Sequence, residues 1–427
     1  MLRDLLYAIR LQSKEWRYAG MVMLTLAICL GANIAVFSVV RGVVLEPLPV
    51  YDADRIVLMA NRYPKAGAET SNQSSVGDYY DRLQAVTALE QQGMFQFQNQ
   101  TVDTNSIPEQ VRGMAVTPSM FPLLHARPAI GRSFLESEGE QGKERKVILS
   151  YALWREMFAG DRAAVGRTLR LSGYPYMIVG VMPQSFHFVN PKVRFWVPLA
   201  FSAEQKKTHH NNNWVHIGRL KPGATIEQVQ QQVNAVNAMN LDRYPALREV
   251  IINAGFHTAV EPLKNLLIRD VKNTLYFLWA GAGFVLLIGL VNLASLVIAR
   301  SSARVREMGT RIALGADTWQ IGRQIFLENF VLSLVGCAVG LVAGFGVLQA
   351  LSAVGLQELP RIDEVRIDAI VVLFGLAVAI LSSLFLTLLH ALFVSRLSLS
   401  TAVREIGRTG AGGRRSTWIR RLVVMAQ

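Results

Sequence analysis

Residues 275–299 read LYFLWAGAGFVLLIGLVNLASLVIA, and residues 300–316 that follow read RSSARVREMGTRIALGA. The first stretch carries no charged side chain, and about twenty apolar residues take a helix across the hydrocarbon of a bilayer. A helix is the form that satisfies every backbone N–H and C=O there without water. The second stretch sets Arg300, Arg304, Arg306 and Arg311 against one acid, Glu307. Lys and Arg collect on the cytoplasmic side of spans, so the pair predicts a membrane helix at 275–299 and a cytoplasmic segment at 300–325.

The same test, moved along the chain, finds three further spans, at 20–44 (with Met21 to Val40 as its apolar heart), 326–351 and 370–394. Basic residues cluster beside them: Arg3, Arg10, Lys14 and Arg17 before the first, and Arg396, Arg404, Arg408, Arg414, Arg415, Arg420 and Arg421 after the last. Charges in the loop at 352–369 nearly cancel, as they do across 45–274. One orientation satisfies all of this: both ends in the cytoplasm, with the long segment and the short loop outside. The first span is too long, and lacks a small-residue cleavage site, for a removable signal peptide. Within residues 1–19, Leu2, Leu5, Leu6 and Ile9 recur at helical spacing opposite the basic residues. That fits an amphipathic helix on the inner membrane surface, and equally a plain basic flank.

Composition agrees. Hydrophobic residues make up 51% and charged residues 18% of the chain, less charge than soluble domains carry, and mean hydropathy is +0.27. A net charge of +13 would suit nucleic acid, but the basic residues flank apolar runs, which argues against it. Cys29 and Cys337 both fall inside apolar runs and read as small hydrophobes.

The long segment has the signals of an α+β domain. Lys146 to Leu149 reads as a strand, and Ser150 caps a helix through Phe158. Arg167 to Leu171 and Tyr174 to Val181 read as a hairpin turning at Ser172-Gly173. Trp214 to Leu220 is another strand, and Thr225 with Gln228 forms a capping box for the next helix. The polar stretch from Ala203 to Asn213 is a candidate boundary between two lobes. Chemistry is sparse: the sequence holds no phosphate-binding G-x-x-x-x-G-K-[ST], no H-E-x-x-H, no C-x-x-C and no G-x-S-x-G. His210 and His216 could converge, but no carboxylate or cysteine is spaced to complete a tetrahedral metal site. We therefore expect no catalytic residue, metal or cofactor in this chain.

Small residues recur every four positions in two spans: Ala27, Gly31 and Ala35 in the first, and Gly336, Gly340 and Gly344 in the third. Such faces let helix backbones approach closely, and helix packing is favoured over a substrate path. Few ionisable residues lie in the hydrocarbon, which weighs against an ion-coupled carrier. Glu328, at the mouth of the third span, is the exception, and is expected to face Arg300, Arg323 or water.

Several segments resemble the MacB/FtsX-type permeases of ABC transporters, in which one helix, a large periplasmic domain and three helices form a module. Asn292 to Leu296 together with Arg304 to Ala316 resembles the signature R-x-R-E-(I/M)-(G/A)-x-R-x-A-L-G-A of that family. Other pieces are similar to a narrower group, the acidobacterial duplicated orphan permeases: Gly31-Ala32-Asn33, Pro47-Leu48-Pro49, Val179 to Pro183, Phe195 to Leu199, Arg219 to Gly223 and Pro360 to Val365. The resemblance implies a MacB-like periplasmic core at 45–274 and an FtsX-like permease region at 275–400. It also implies that residues 395–427 lead to a second module, since that group carries two. In the family the segment between the second and third helices sits on a separate ATPase subunit. Here Arg304, Arg306, Glu307 and Arg311 would supply its charge, Met308, Ile312 and Leu314 its apolar face, and Gly315 its end. The charges alone would serve equally as a basic loop that fixes topology.

The implied function is an inner-membrane permease that passes the ATPase cycle to a periplasmic domain and so exports or releases an envelope substrate. Its partners would be the lipid bilayer, an ATPase subunit that binds the ATP, and a second permease module or a second copy. The alternative is a signalling or scaffold protein whose outside domain regulates an envelope partner such as a cell-wall hydrolase.

Overall fold

The computed structural model describes residues 12, 15–102, 108–243, 245–313, 318–353 and 365–396, with backbone alone at 246–247, 300–313, 318–321, 351–353 and 392–396. The chain separates into two compact units, one holding residues up to Glu46 and from Asp270 onward, the other Pro47–Arg269.

Among the described residues the first unit holds four helices long and apolar enough to cross a membrane. They are α1 (Trp16–Val40), α5 (Lys264–Ala313), α6 (Thr318–Ala353) and α7 (Ala369–Arg396); α2 to α4 belong to the second unit. α1 starts at Trp16, so residues 16–19, expected in the surface helix, extend the span instead. The rest of that expected helix, Gln12 and Glu15 apart, lies outside the described residues. α5 starts at Lys264, well before Leu275, and runs unbroken through the apolar stretch and on to Ala313. At 1.5 Å per residue its 50 residues measure about 75 Å. Residues 301–313 hold no Pro to end it, and the helix continues from the span expected at 275–299 into the segment expected to couple. The apolar interior joins Leu26, Leu30 and Ile34 of α1 to Leu290 and Leu293 of α5, Leu332 and Cys337 of α6, and Val371, Ala379 and Leu386 of α7.

The second unit is α+β. Its ten strands are β1 (Ile56–Arg62), β2 (Leu89–Val102), β3 (Glu109–Val116), β4 (Ile130–Gly131), β5 (Lys146–Leu149), β6 (Thr168–Leu171), β7 (Tyr174–Val181), β8 (Phe195–Pro198), β9 (Val215–Leu220) and β10 (His257–Pro262). They form one mixed sheet in the order β10-β1-β9-β2-β3-β8-β5-β7-β4, with β6 pairing β2 and β7. Its helices include α2 (Val76–Ala85), α3 (Tyr151–Phe158) and α4 (Ile226–Arg243).

Local signals work as read. Ser150 accepts the Leu153 N–H at 3.2 Å. Thr225 and Gln228 exchange bonds of 3.1 and 3.3 Å. Ser172 and Gly173 both take positive φ, +47° and +84°, which is the two-residue turn that matches strand twist. The stretch 203–213 does not divide two lobes. β9 and β10, which follow it, interleave with β1 and β2, which precede it.

The sheet is covered on both faces. In β1, Ile56, Leu58 and Ala60 enter one core while Val57 and Met59 enter another, beneath Val229, Val233 and Val236 of α4. In β5, Ile148 enters the first core while Val147 and Leu149 meet Leu153 and Trp154 of α3.

Candidate functional site

Helix α1 is the hub of the membrane unit, with Leu30 and Val40 fully buried. One stripe of it lies against α6. A Cβ added at Gly340 would meet Ala27 O and Gly31 N at 2.9 Å, and one at Gly31 would meet Gly340 O at 3.0 Å. At Gly336 the obstacle is Leu26 Cβ at 2.7 Å, and at Gly344 it is Gly31 O at 3.5 Å and Ala35 Cβ at 3.9 Å. The five residues expected to pack, Gly31, Ala35, Gly336, Gly340 and Gly344, thus lie along one seam, and its backbones meet at Gly31 and Gly340.

A second stripe of α1, Cys29, Asn33 and Phe37, faces α5. Asn33 Nδ2 donates to Cys29 O at 2.9 Å and to Ala282 O of α5 at 2.8 Å. A Cβ at Gly289 would lie 2.5 Å from Cys29 Sγ. The Phe37 ring stands 5.6 Å from Trp279 and stacks at 4.0 Å on Phe374 of α7. Glu328 is buried; its carboxylate accepts from Gln324 at 3.1 Å, and its backbone carbonyl accepts from Gln12 at 2.8 Å.

After Val40 the helix widens into a π turn, Arg41–Leu45, a form that often marks functional positions. The Arg41 guanidinium grips one oxygen of Asp368 through Nη2 at 2.6 Å and Nε at 3.1 Å, and reaches Glu46 at 3.2 Å. Asp368 in turn caps α7 by accepting from Ile370 and Val371 at 3.1 and 3.0 Å. The Val371 N–H above all, and then Arg41, hold its carboxyl below the ordinary range. Sequence reading scored Asp368 only as one of the loop's cancelling charges. The missed signal was Arg41, a lone cation at the end of α1 away from the basic tail.

Of the residues expected to couple to an ATPase, Arg304, Arg306, Glu307, Met308, Arg311 and Ile312 lie in the last turns of α5. They are a direct extension of the second span, and their side chains are not among those described. Leu314 and Gly315 lie outside the described residues.

The α+β unit holds a buried polar cluster. Arg82, on α2, is fully buried and donates at 2.8 Å each to Ser74, to Asn61 of β1 and to Thr258 of β10. Asp78 sits 3.9 Å from it and accepts from Asn61 and Ser75 at 2.5 and 2.7 Å. Burial pushes the Asp78 carboxyl up; the Arg82 charge and those hydrogen bonds outweigh it and leave it below its ordinary value. Both terminal nitrogens of Arg82 and the Asp78 carboxylate are engaged inside the fold, so the cluster staples elements together.

The histidines disperse. His209 bonds Asp81 at 2.8 Å, His210 bonds the Tyr63 hydroxyl at 2.7 Å, and His216, fully buried, bonds Gln92 at 3.0 Å. Burial depresses the His216 basicity far below the ordinary 6.5, and burial raises the Tyr63 hydroxyl to about 12. Among the described residues no three His, Cys, Asp or Glu side chains are grouped to hold a metal ion.

Comparison with known proteins gives two family matches in chain order. Residues 19–236 match the MacB-like periplasmic core domain, and residues 279–401 match the FtsX-like permease C-terminal region. A macrolide export ATP-binding/permease protein MacB of Nitrosomonas europaea is 25% identical over 236 residues, 54% of this chain and 34% of that protein. The pyoverdine export ATP-binding/permease protein PvdT of Pseudomonas syringae is 22% identical over 234 residues, 54% of this chain and 34% of that one. The chain thus spans about a third of the length of these curated relatives. Among solved structures, the periplasmic region of MacB from Actinobacillus actinomycetemcomitans is 9% identical and overlaps 55% of this chain and 96% of its own, with a TM-score of 0.37.

Proposed function

Since this chain belongs to the MacB-like periplasmic core domain family and continues into an FtsX-like permease region, we propose that it is the permease of an ABC-type export system. In this reading it binds no ATP itself. A separate ATPase subunit engages the end of α5, where Arg304, Arg306 and Arg311 offer charge to an acidic partner. Movement of the membrane helices then displaces the periplasmic domain and drives export or release of a substrate already in the envelope. The placement is the inner membrane, both ends cytoplasmic, with a second permease module or a second copy completing the working unit. The motifs around Asn33, Pro47 and Pro360 favour the duplicated orphan group within the family.

The observation that supports this most is continuity: α5 runs from the apolar span straight into the signature residues without a break. A helix of that kind carries a push at its basic end along its own axis.

The test is Arg306→Glu combined with Arg311→Glu. The double variant is expected to lose co-purification of the ATPase and its stimulation, while the chain still inserts in the membrane. Retention of both activities would overturn the coupling role. Reporter fusions after Gln100 and after Arg311 check orientation, and an external Arg311 would overturn the placement.

A further inference from the structure

Two contacts of α1 differ in what they permit. Against α6 the backbones close on one another at Gly31 and Gly340, where an added Cβ would meet a carbonyl oxygen at 2.9 to 3.0 Å. Against α5 the described residues show a short polar contact from the buried Asn33 amide to a backbone oxygen, Ala282 O. The other N–H of that amide is spent on Cys29 O of its own helix. Its neighbours on the stripe are apolar or weakly polar: Phe37 beside Trp279, and Cys29 beside Gly289, with Cys29 Sγ 3.7 Å from Val285 O.

We propose that Asn33 is a positioning residue that sets the axial register of α5 against α1, by a hydrogen bond that can pass from one α5 carbonyl to the next. In hydrocarbon an amide N–H without a partner is costly, so Asn33 holds α5 wherever a carbonyl comes within reach. Helix carbonyls keep a second lone pair after accepting their own N–H, and they recur on one face at each turn, about 5.4 Å apart. The acceptor is backbone, so the next turn of α5 offers the same partner whatever its side chain. Gly289 opposite Cys29 leaves the space that the present register requires, where a Cβ would lie 2.5 Å from Cys29 Sγ. Stops one turn apart, with the α1–α6 seam fixed, give α5 discrete positions. This rests on the membrane-span reading and not on the existence of an ATPase partner.

Disulfide formation by the native Cys29 in the full chain, reconstituted in lipid, reads the register. Thiols are introduced one at a time by Val285→Cys, Gly289→Cys and Leu293→Cys, in a Cys337→Ala background. With Asn33 present, position 289 should dominate, with 285 and 293 as minor products one turn away. In Asn33→Leu, the ratio of the 289 product to the other two should fall roughly three- to fifteen-fold, the range spanned by interhelical hydrogen bonds in membranes. Asn33→Gln, which keeps the amide, should restore most of it. The control is the α6–α7 pair, the native Cys337 with Gly375→Cys in a Cys29→Ala background; Cys337 Sγ lies 3.3 Å from a Cβ at Gly375. It should be unaffected. An unchanged ratio in Asn33→Leu overturns the proposal. So does loss of the control pair, which would make Asn33 a support of the whole bundle, or failure of Asn33→Gln to restore the ratio.

Discussion

The two units satisfy their buried polar groups in opposite ways. In the membrane unit the hydroxyls of Ser38, Ser382 and Ser383 each return to the carbonyl four residues back, at 2.7 to 2.8 Å. Such bonds satisfy the hydroxyl but join nothing to anything else. Adhesion between helices falls to backbone contact at the glycine seam and to a few side-chain amides, Asn33 to Ala282 and Asn329 to Thr387. In the α+β unit the polar groups reach across elements: Arg82 alone ties α2 to β1 and β10. Lipid supplies no hydrophobic drive to push helices together, so shape has to do it. In the water-exposed unit burial is already favourable, and buried polar groups instead select which elements meet.

The comparison breaks first at Arg82. Arg82→Met leaves Asp78, Asn61, Ser74 and Thr258 without their shared donor. Removing one partner of a buried pair costs about 3–5 kcal/mol. Denaturant unfolding of the full chain should show that loss in the α+β transition, with the helical transition unmoved. Adding Asp78→Asn should recover part of it; a double variant as unstable as the single one would mean that Arg82 acts by shape, not charge.

Next is the seam. Gly340→Leu puts a side chain where 2.9 Å separates a bare Cβ from Ala27 O and Gly31 N. Forced repacking of this kind costs typically 1–3 kcal/mol, and here the obstacle is backbone, so about 3 kcal/mol is expected. The helical transition should shift while the α+β one stays. A tolerated Gly340→Leu would show that the α1–α6 contact is looser than its geometry.

The third difference is response to acid. His216 is buried, and its folded basicity lies far below the 6.5 of an exposed histidine. Below pH 6.5 the unfolded chain therefore binds a proton that the folded chain refuses. Stability is full above that pH and falls as pH drops, with a slope approaching 1.4 kcal/mol per pH unit for one group. Asp78 extends the loss at lower pH, because its stabilising charge vanishes as pH falls through its depressed folded value. Pulse proteolysis within β9 should rise from pH 6.5 to 5, and His216→Gln should flatten that slope.

These contrasts also explain what could be read in advance. The spans were legible because twenty uncharged apolar residues have few other uses, and the hairpin and capping box because their chemistry is local. β1 was not. Ile56 to Ala60 is buried on both faces, so its pattern has no period of two to detect. β2 was hidden by its glutamines, of which Gln92 is buried and bonded to His216. Asp78 and Arg82, four residues apart on a helix, look like an ordinary exposed pair, and nothing local says that the helix lies inward. The glycine stripes announced close packing, but only the structure pairs α1 with α6. Asn33 stood in the sequence merely as part of a motif, since its partner at Ala282 is 249 residues away.

The smallest expected effect is the sharpest check on the rule that membrane hydroxyls are self-contained. The Ser383 hydroxyl donates to Ala379 O at 2.8 Å and is fully buried. That carbonyl already accepts its own helical N–H, so Ser383→Ala removes a donor and leaves no acceptor empty. The change should fall within about 0.5 kcal/mol, because a hydroxyl bonded back to its own helix adds little and Ala is the better helix former, in contrast to Asn33→Leu, where an α5 carbonyl loses a partner on another helix. If Ser383→Ala instead cost more than about 1.5 kcal/mol, a hydroxyl bond within one helix would matter more than one between helices. The division drawn between the two units would then fail on its membrane side.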